Sequence, residues 1–193
     1  MSLEALLDEY PKEITIKGGT VCQVRPLEAS DESAFHAFFL AVPERERMFI
    51  KHRVTDPGVI RGWCANIDYG RNLPLLALAG DRIVAAATLH QQLGGWKRHI
   101  GRVSVLVHPE LRGRGLARGL VSETVELARG VSLKKVEAEF IGEQEAAMKV
   151  FALLGFSKRL ELPEYVEDMQ GNPHDYILMD LDLRVDEEYA GMG

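Results

Sequence analysis

The chain has 193 residues, 46% hydrophobic and 27% charged, with a formal net charge of −6, and these values suit one globular domain and exclude disordered and fibrous classes. No apolar run approaches the ~18–20 residues of a membrane helix, and no basic-then-apolar leader opens the sequence. Two cysteines, Cys22 and Cys64, provide neither a disulfide framework nor zinc spacing, so a cytoplasmic protein with small buried thiols and no metal is expected.

In chain order, Ser2–Tyr10 reads as a short amphipathic helix. Glu13–Ile16 and Thr20–Arg25 flank Lys17-Gly18-Gly19 as a hairpin. Ser30 is placed to cap a helix with Asp31 and Glu32 in its first turn; Phe35, Phe38, Phe39 and Val42 line one face, and Pro43 ends it. Thr55-Asp56-Pro57 starts a second helix with Val59, Ile60, Trp63 and Ile67 on its apolar face. Leu75–Ala79 and Ile83–His90 are buried strands around the Gly80-Asp81 turn, and Ile100–Val107 is a third. A helix to about Arg129 follows, then a strand at Lys135–Ile141, a helix from Glu143 to Leu154, and strands near Phe156–Val166 and Tyr176–Leu183. The order β-α-α-β-β-β-α-β-α-β-β, with hairpins and crossovers mixed, predicts an α+β (mixed α/β) domain. The domain spans 1–193, with its core at about 20–183, an N-terminal extension at 1–19 and a frayed tail at 184–193.

Charge is unevenly distributed. Residues 161–193 carry ten acids against one base, whereas residues 96–118 carry six bases against Glu110 alone. A local basic patch on an acidic chain argues against nucleic acid and for a compact anionic ligand. The segment Val103–Gly119 sharpens this, because a strand runs into a Gly-rich basic loop and a helix begins at once. Amides at such a helix start lack intrahelical partners and converge, with the positive end of the dipole, on an anion such as phosphate. Gly113, Gly115 and Gly119 miss the dinucleotide spacing G-x-G-x-x-G by one residue, and no Gly-Lys-Ser/Thr of a P-loop is present.

Arg112-Gly113-Arg114-Gly115-Leu116-Ala117 resembles the R/Q-x-x-G-x-G/A signature of the GNAT superfamily of acyl-CoA-dependent N-acyltransferases. Three further segments are similar to that family in the same order: Arg25-Pro26-Leu27 with Asp31, the strand Val136–Phe140, and Gln144, Ala147, Phe151 and Gly155-Phe156. The resemblance covers about residues 20–183. It implies a central, mostly antiparallel sheet of about seven strands flanked by about four helices. It also implies acetyl-CoA as acyl donor, its pyrophosphate on the backbone of Arg112–Ala117. The strand Val105, Leu106 and Val107 would splay from Lys135–Ile141 to take the pantetheine arm, with Gln144 and Phe151 beside the cofactor. The acceptor is expected to be a primary amine, on a small molecule or a protein lysine, attacked in a ternary complex with no membrane or nucleic acid involved. Either a monomer or a homodimer is compatible.

The chain also departs from the family pattern. Phe151 stands where relatives carry a Tyr proposed to protonate the thiolate, leaving Tyr165, Ser104 or water as substitutes. The same departure fits an acyl-CoA-binding sensor that does not turn over. The strand beside the cofactor carries Arg102 and Ser104 rather than a Glu, so Glu139 and His90 are the candidate bases, with His108 and Glu137 also in range. Glu137 and Glu139 share a face by alternation. Trp96 is either an acceptor-site rim residue or an exposed surface side chain.

Overall fold

A computed structural model describes residues 2–50 and 52–184, so the expected tail beyond Arg184 lies outside the described residues. The two apolar runs pair as the hairpin β3 (Asn72–Ala79) and β4 (Arg82–His90), buried on both faces, which is why they read as continuous hydrophobic stretches. Around them a single sheet is laid out in the order β1-β2-β3-β4-β5-β6-β8-β7. The remaining strands are β1 (Lys12–Thr15), β2 (Val21–Pro26), β5 (Ile100–Val107), β6 (Lys135–Ile141), β7 (Ser157–Glu167) and β8 (Pro173–Asp182). All neighbours are antiparallel except β5 and β6, joined by a crossover through a helix. The sheet has eight strands rather than about seven, both arms of the expected N-terminal hairpin joining it as β1 and β2.

Helices cover the two faces unequally. One core layer packs under α1 (Leu3–Leu7), α5 (Leu116–Gly130) and α6 (Glu145–Leu153), and takes Leu73, Leu75, Val103, Leu120, Val136 and Phe151 among others. The opposite layer gathers Leu76, Leu78, Ile83 and Ala86 against α2 (Glu32–Ala41) and α4 (Pro57–Ala65); a short α3 (Glu44–Arg47) lies between those helices in sequence. As the Thr-Asp-Pro signal implies, Asp56 caps α4, its carboxylate accepting from Gly58 N–H at 2.8 Å with Pro57 in the first turn. Ser30 does not cap α2. Residues Ala29–Asp31 form a 3₁₀ turn instead, with Asp31 rather than Ser30 taking the Glu28 amide, at 2.8 Å. Cys22 and Cys64 are free and buried, as expected. No described helix is long and apolar enough to cross a membrane.

Beyond β4, the face that carries α2 and α4 is uncovered. There the pairing places Asn72, His90, Arg102, Glu137 and Asp180 in one row across β3, β4, β5, β6 and β8, with Ser104 and Glu139 one pleat further on. This polar floor positions the site.

Candidate active site

The site begins where two strands part. β5 pairs with β4 from Arg102 to Val107, Ala85↔Val107 to His90↔Arg102, whereas its parallel pairing with β6 covers only Ile100–Arg102 against Lys135–Glu137. Past Arg102 and Glu137 the strands separate into a fork. The outer edge of Val105, Leu106 and Val107 therefore has no strand beside it, while the far half of β6 stays paired to β8.

The basic loop closes the end of the fork. Pro109–Leu111 form a 3₁₀ turn capped by His108, whose Nδ1 accepts from Glu110 N–H at 3.4 Å, so His108 has a structural use here. Gly113 and Gly115 follow at φ 72° and 90°, a conformation that strains any residue with a Cβ, and Leu116 starts α5. Nothing stands within 4 Å of a Cβ built on either, so the backbone conformation, not crowding, calls for glycine. Gly119 differs: a Cβ there would meet Ile14 Cδ1 at 2.9 Å, so its role is to let α5 pack on β1. Among the described residues no acceptor takes the amides of residues 113–118. The loop is braced from the β1–β2 turn, where Lys17 N–H donates to Arg114 O at 3.0 Å.

The basic patch is partly neutralised. Arg112 turns away from the loop amides, its guanidinium gripping Glu46 of α3 through two hydrogen bonds of 2.7 and 2.8 Å and donating to Val107 O at 3.1 Å. Lys97 pairs with Glu137 and Arg102 with Glu139. Arg114 and Arg118 make no ion pair among the described residues and remain as exposed charge beside the loop.

On the floor, Glu139 accepts from Arg102 Nη1 and from the Tyr176 hydroxyl, each at 3.1 Å, across the opening of the fork. Burial and the neighbouring Glu139 charge push the Tyr176 hydroxyl up to about 12, so it stays a donor. His90 lies between Asn72 Oδ1 at 2.7 Å and Ser104 Oγ at 3.2 Å. Burial, with Arg102 close by, brings its imidazole down to about 4, so the ring rests neutral near pH 7. Glu137 shares the face with Glu139, as alternation requires.

Two expected positions lie off the floor. Phe151 is 1% exposed, with ring centroids 5.0 and 4.9 Å from Phe140 and Phe156, and so belongs to the core under α6. Gln144 sits at the outer end of the fork, where Oε1 accepts from Ile141 N–H at 2.9 Å and fastens the turn into α6. Trp96 is 89% exposed and contributes no packing. Sequence reasoning missed Asn72 and Tyr176. Pro74 concealed the first turn of β3, since proline argues against a strand interior; it is tolerated here just past the last β2 pairing, Pro26↔Leu75. The register that brings Tyr176 opposite Ile141, one pleat from Glu139, carried the only signal for that hydroxyl.

A forked mixed sheet with a glycine-rich loop feeding a helix at the parting is the scaffold that the resemblance noted in the sequence implies. The model of the acetyltransferase (GNAT) family matches residues 33–156, more than half of the chain, and the chain belongs to that family. The GNAT domain of S. lividans PAT superposes with a TM-score of 0.74 at 18% identity over 91% of this chain and 100% of that one. Mycobacterium smegmatis RimJ, in complex with CoA-disulfide, gives 0.73 at 20% identity over 91% and 89%. Salmonella typhimurium yncA, a putative acetyltransferase with acetyl-CoA, gives 0.69 at 20% over 84% and 94%. At these identities the likeness concerns the fold. The L-amino acid N-acyltransferase MnaT of Escherichia coli K12 is 30% identical over 82 residues, 40% of this chain, and the match spans about half (48%) of that relative's length.

Proposed function

We propose that the chain is an N-acetyltransferase that moves an acetyl group from acetyl-CoA to a primary amine by direct attack in a ternary complex. The observation that supports this most is the run of free amides at residues 113–118, directed by two left-handed glycines at the open end of the β5–β6 fork. A phosphorylated ligand fits such a cradle: the amides and the α5 dipole take its negative charge, and Arg114 and Arg118 add to it. The unpaired edge of Val105–Val107 offers backbone donors and acceptors to an amide-bearing arm and one donor to a thioester carbonyl. When bound, the donor supplies an acyl carbon on a thiolate leaving group whose thiol has a reference pKa of about 8.5.

The amine enters over the polar floor. Glu139, held by Arg102 and Tyr176, is the carboxylate that receives the ammonium and draws off its first proton. Arg102 beside it provides a cation for an acceptor that bears a carboxylate, so L-amino acids, which the name of the E. coli relative suggests, belong in the acceptor panel with lysine peptides and simple amines.

The test is a calorimetric titration with acetyl-CoA, CoA and NAD in parallel, followed by transfer assays on that panel. Saturable 1:1 binding of both CoA species but not NAD is expected, weakened at least tenfold by Gly115→Glu. Absence of CoA binding would remove the reading altogether. CoA binding without transfer to any amine would favour the non-catalytic sensor, a reading that the buried Phe151 ring, with no hydroxyl to offer, keeps in view.

A further inference from the structure

Asn72, His90 and Ser104 stand on β3, β4 and β5, on one face of the sheet and at the mouth of the fork. Asn72 Oδ1 only accepts, so the His90 Nδ1 that lies 2.7 Å from it carries the hydrogen. Nε2 is left with a lone pair, and the Ser104 hydroxyl 3.2 Å away donates to it. Exposed Ser104, its own hydrogen directed at His90, retains acceptor lone pairs. It lies two residues beyond Arg102, the last β5 residue paired to β6, and so on the open part of the fork.

We propose that Ser104, backed by His90 and Asn72, is the proton shuttle of the transfer step, linking the attacking amine to the departing thiolate. The inference rests on the acyl-transfer reading above. As the N–C bond forms, the amine nitrogen gives a proton to Ser104 Oγ while the Ser104 hydrogen moves to His90 Nε2. As the C–S bond breaks, the same path runs in reverse and the sulfur gains that proton. Nitrogen loses one proton, sulfur gains one, and Ser104 and His90 end unchanged. The charged groups facing His90 are Arg102 from β5 and Glu139 from β6, which oppose each other, and burial sets the balance at about 4. An imidazole that low holds a proton briefly and passes it readily to a thiolate whose thiol has a reference pKa of about 8.5. One relay then serves both ends of the reaction, and no hydroxyl at Phe151 is required. Ser104 is the catalytic residue; His90 and Asn72 are positioning residues that act through it.

The experiment compares wild type with Ser104→Ala, His90→Gln, the double variant and Ser104→Thr, using acetyl-CoA and the best amine of the panel. His90→Gln keeps hydrogen-bonding capacity but cannot take up a proton. Each single loss should lower kcat about 10²-fold, within the usual range for proton-transfer catalysis, with KM for acetyl-CoA unchanged within about twofold. The double variant should be no worse than either single one, because the side chains work as a unit. Ser104→Thr should recover most of the rate. Nitrogen-15 NMR of the free protein supplies a readout apart from activity: His90 should be the neutral, Nδ1-protonated tautomer at pH 7, and Ser104→Ala should move its Nε2 resonance. Wild-type kcat in Ser104→Ala, additive losses in the double variant, or the Nε2-protonated tautomer would each overturn the shuttle while leaving acyl transfer intact. A wild type that binds acetyl-CoA yet acylates no amine overturns both.

Discussion

Asp31 shows how one side chain joins sequence to fold. It is 6% exposed and takes two Arg25 hydrogen bonds of 2.7 Å together with the Glu28 amide, fixing the entry of α2 to the end of β2. Burial alone would raise its carboxyl, but the Arg25 hydrogen bonds, the Glu28 amide and the guanidinium charge outweigh it and hold the group below its ordinary value. A depressed carboxyl contributes stability in full above the unfolded value, about 3.9, and loses it as pH falls through the lower folded one. Asp31→Asn is therefore expected to cost about 2–3 kcal/mol near pH 7, where it leaves a half-buried guanidinium without its counter-charge. That cost should shrink in acid, as urea denaturation at pH 7 and pH 3 would show; an equal loss at both would mean that the charge is irrelevant. The Arg25…Asp31 pattern was legible in the sequence as a family-like opening, and the ion pair is its physical content. Ser30 misled because Ala29–Asp31 turn as a 3₁₀ helix that places Asp31, not Ser30, at the N-cap of α2. Phe151 was legible as a position but not as a buried ring, since Phe140 and Phe156, which enclose it, come from other elements.

At the scale of elements, the loop after β5 and the short α3 are coupled. Arg112 is one of the six bases of the basic patch, but Glu46 of α3 holds its guanidinium in a two-point grip. Pairing across the sheet is hidden from a local reading: 66 residues separate the partners, and the periodicity of α3 says nothing about what its acids face. Glu46→Gln would release an uncompensated cation beside the loop. We expect acetyl-CoA to bind about two- to fivefold more tightly, as a partly exposed ion pair permits, with the gain fading between 50 and 500 mM salt. Calorimetry at the two salt concentrations checks this, and weaker binding would show instead that α3 positions the loop. The glycine-rich loop between strand and helix was legible in the sequence, whereas the left-handed backbone at Gly113 and Gly115 shows only in the structure. The fork was not, because the point at which β5 leaves β6 depends on where their parallel register ends, and only the family resemblance suggested it.

For the whole molecule, the hairpin of β7 and β8 is anchored through His174. Its Nδ1 lies 2.8 Å from Glu143 at the start of the α6 segment, its Nε2 3.5 Å from Asp168 in the hairpin turn, and its ring meets Phe49, after α3, edge-on at 4.9 Å. The Glu143 hydrogen bond raises the imidazole above its ordinary value, more than burial lowers it, and Asp168 adds to the rise. Stability from this group is full below about 6.5 and is lost as pH rises through the raised folded value. Asn172 holds Asp168 down to about 2, so its contribution is present above the ordinary carboxylate range and fades only in strong acid. Melting temperature should decline on the alkaline side of neutrality, and His174→Gln should flatten that limb; an unchanged limb would sink the assignment. The acidic stretch 161–168 thus ends in a carboxylate only 9% exposed. The strand order carries a further consequence for synthesis. β1 to β6 lie in the order in which they leave the ribosome, but β8 inserts between β6 and β7. β7 has no place in the sheet until its successor is made, so a stop codon between Glu167 and Pro173 removes two strands from the sheet rather than one and leaves the whole outer length of β6 as a bare edge.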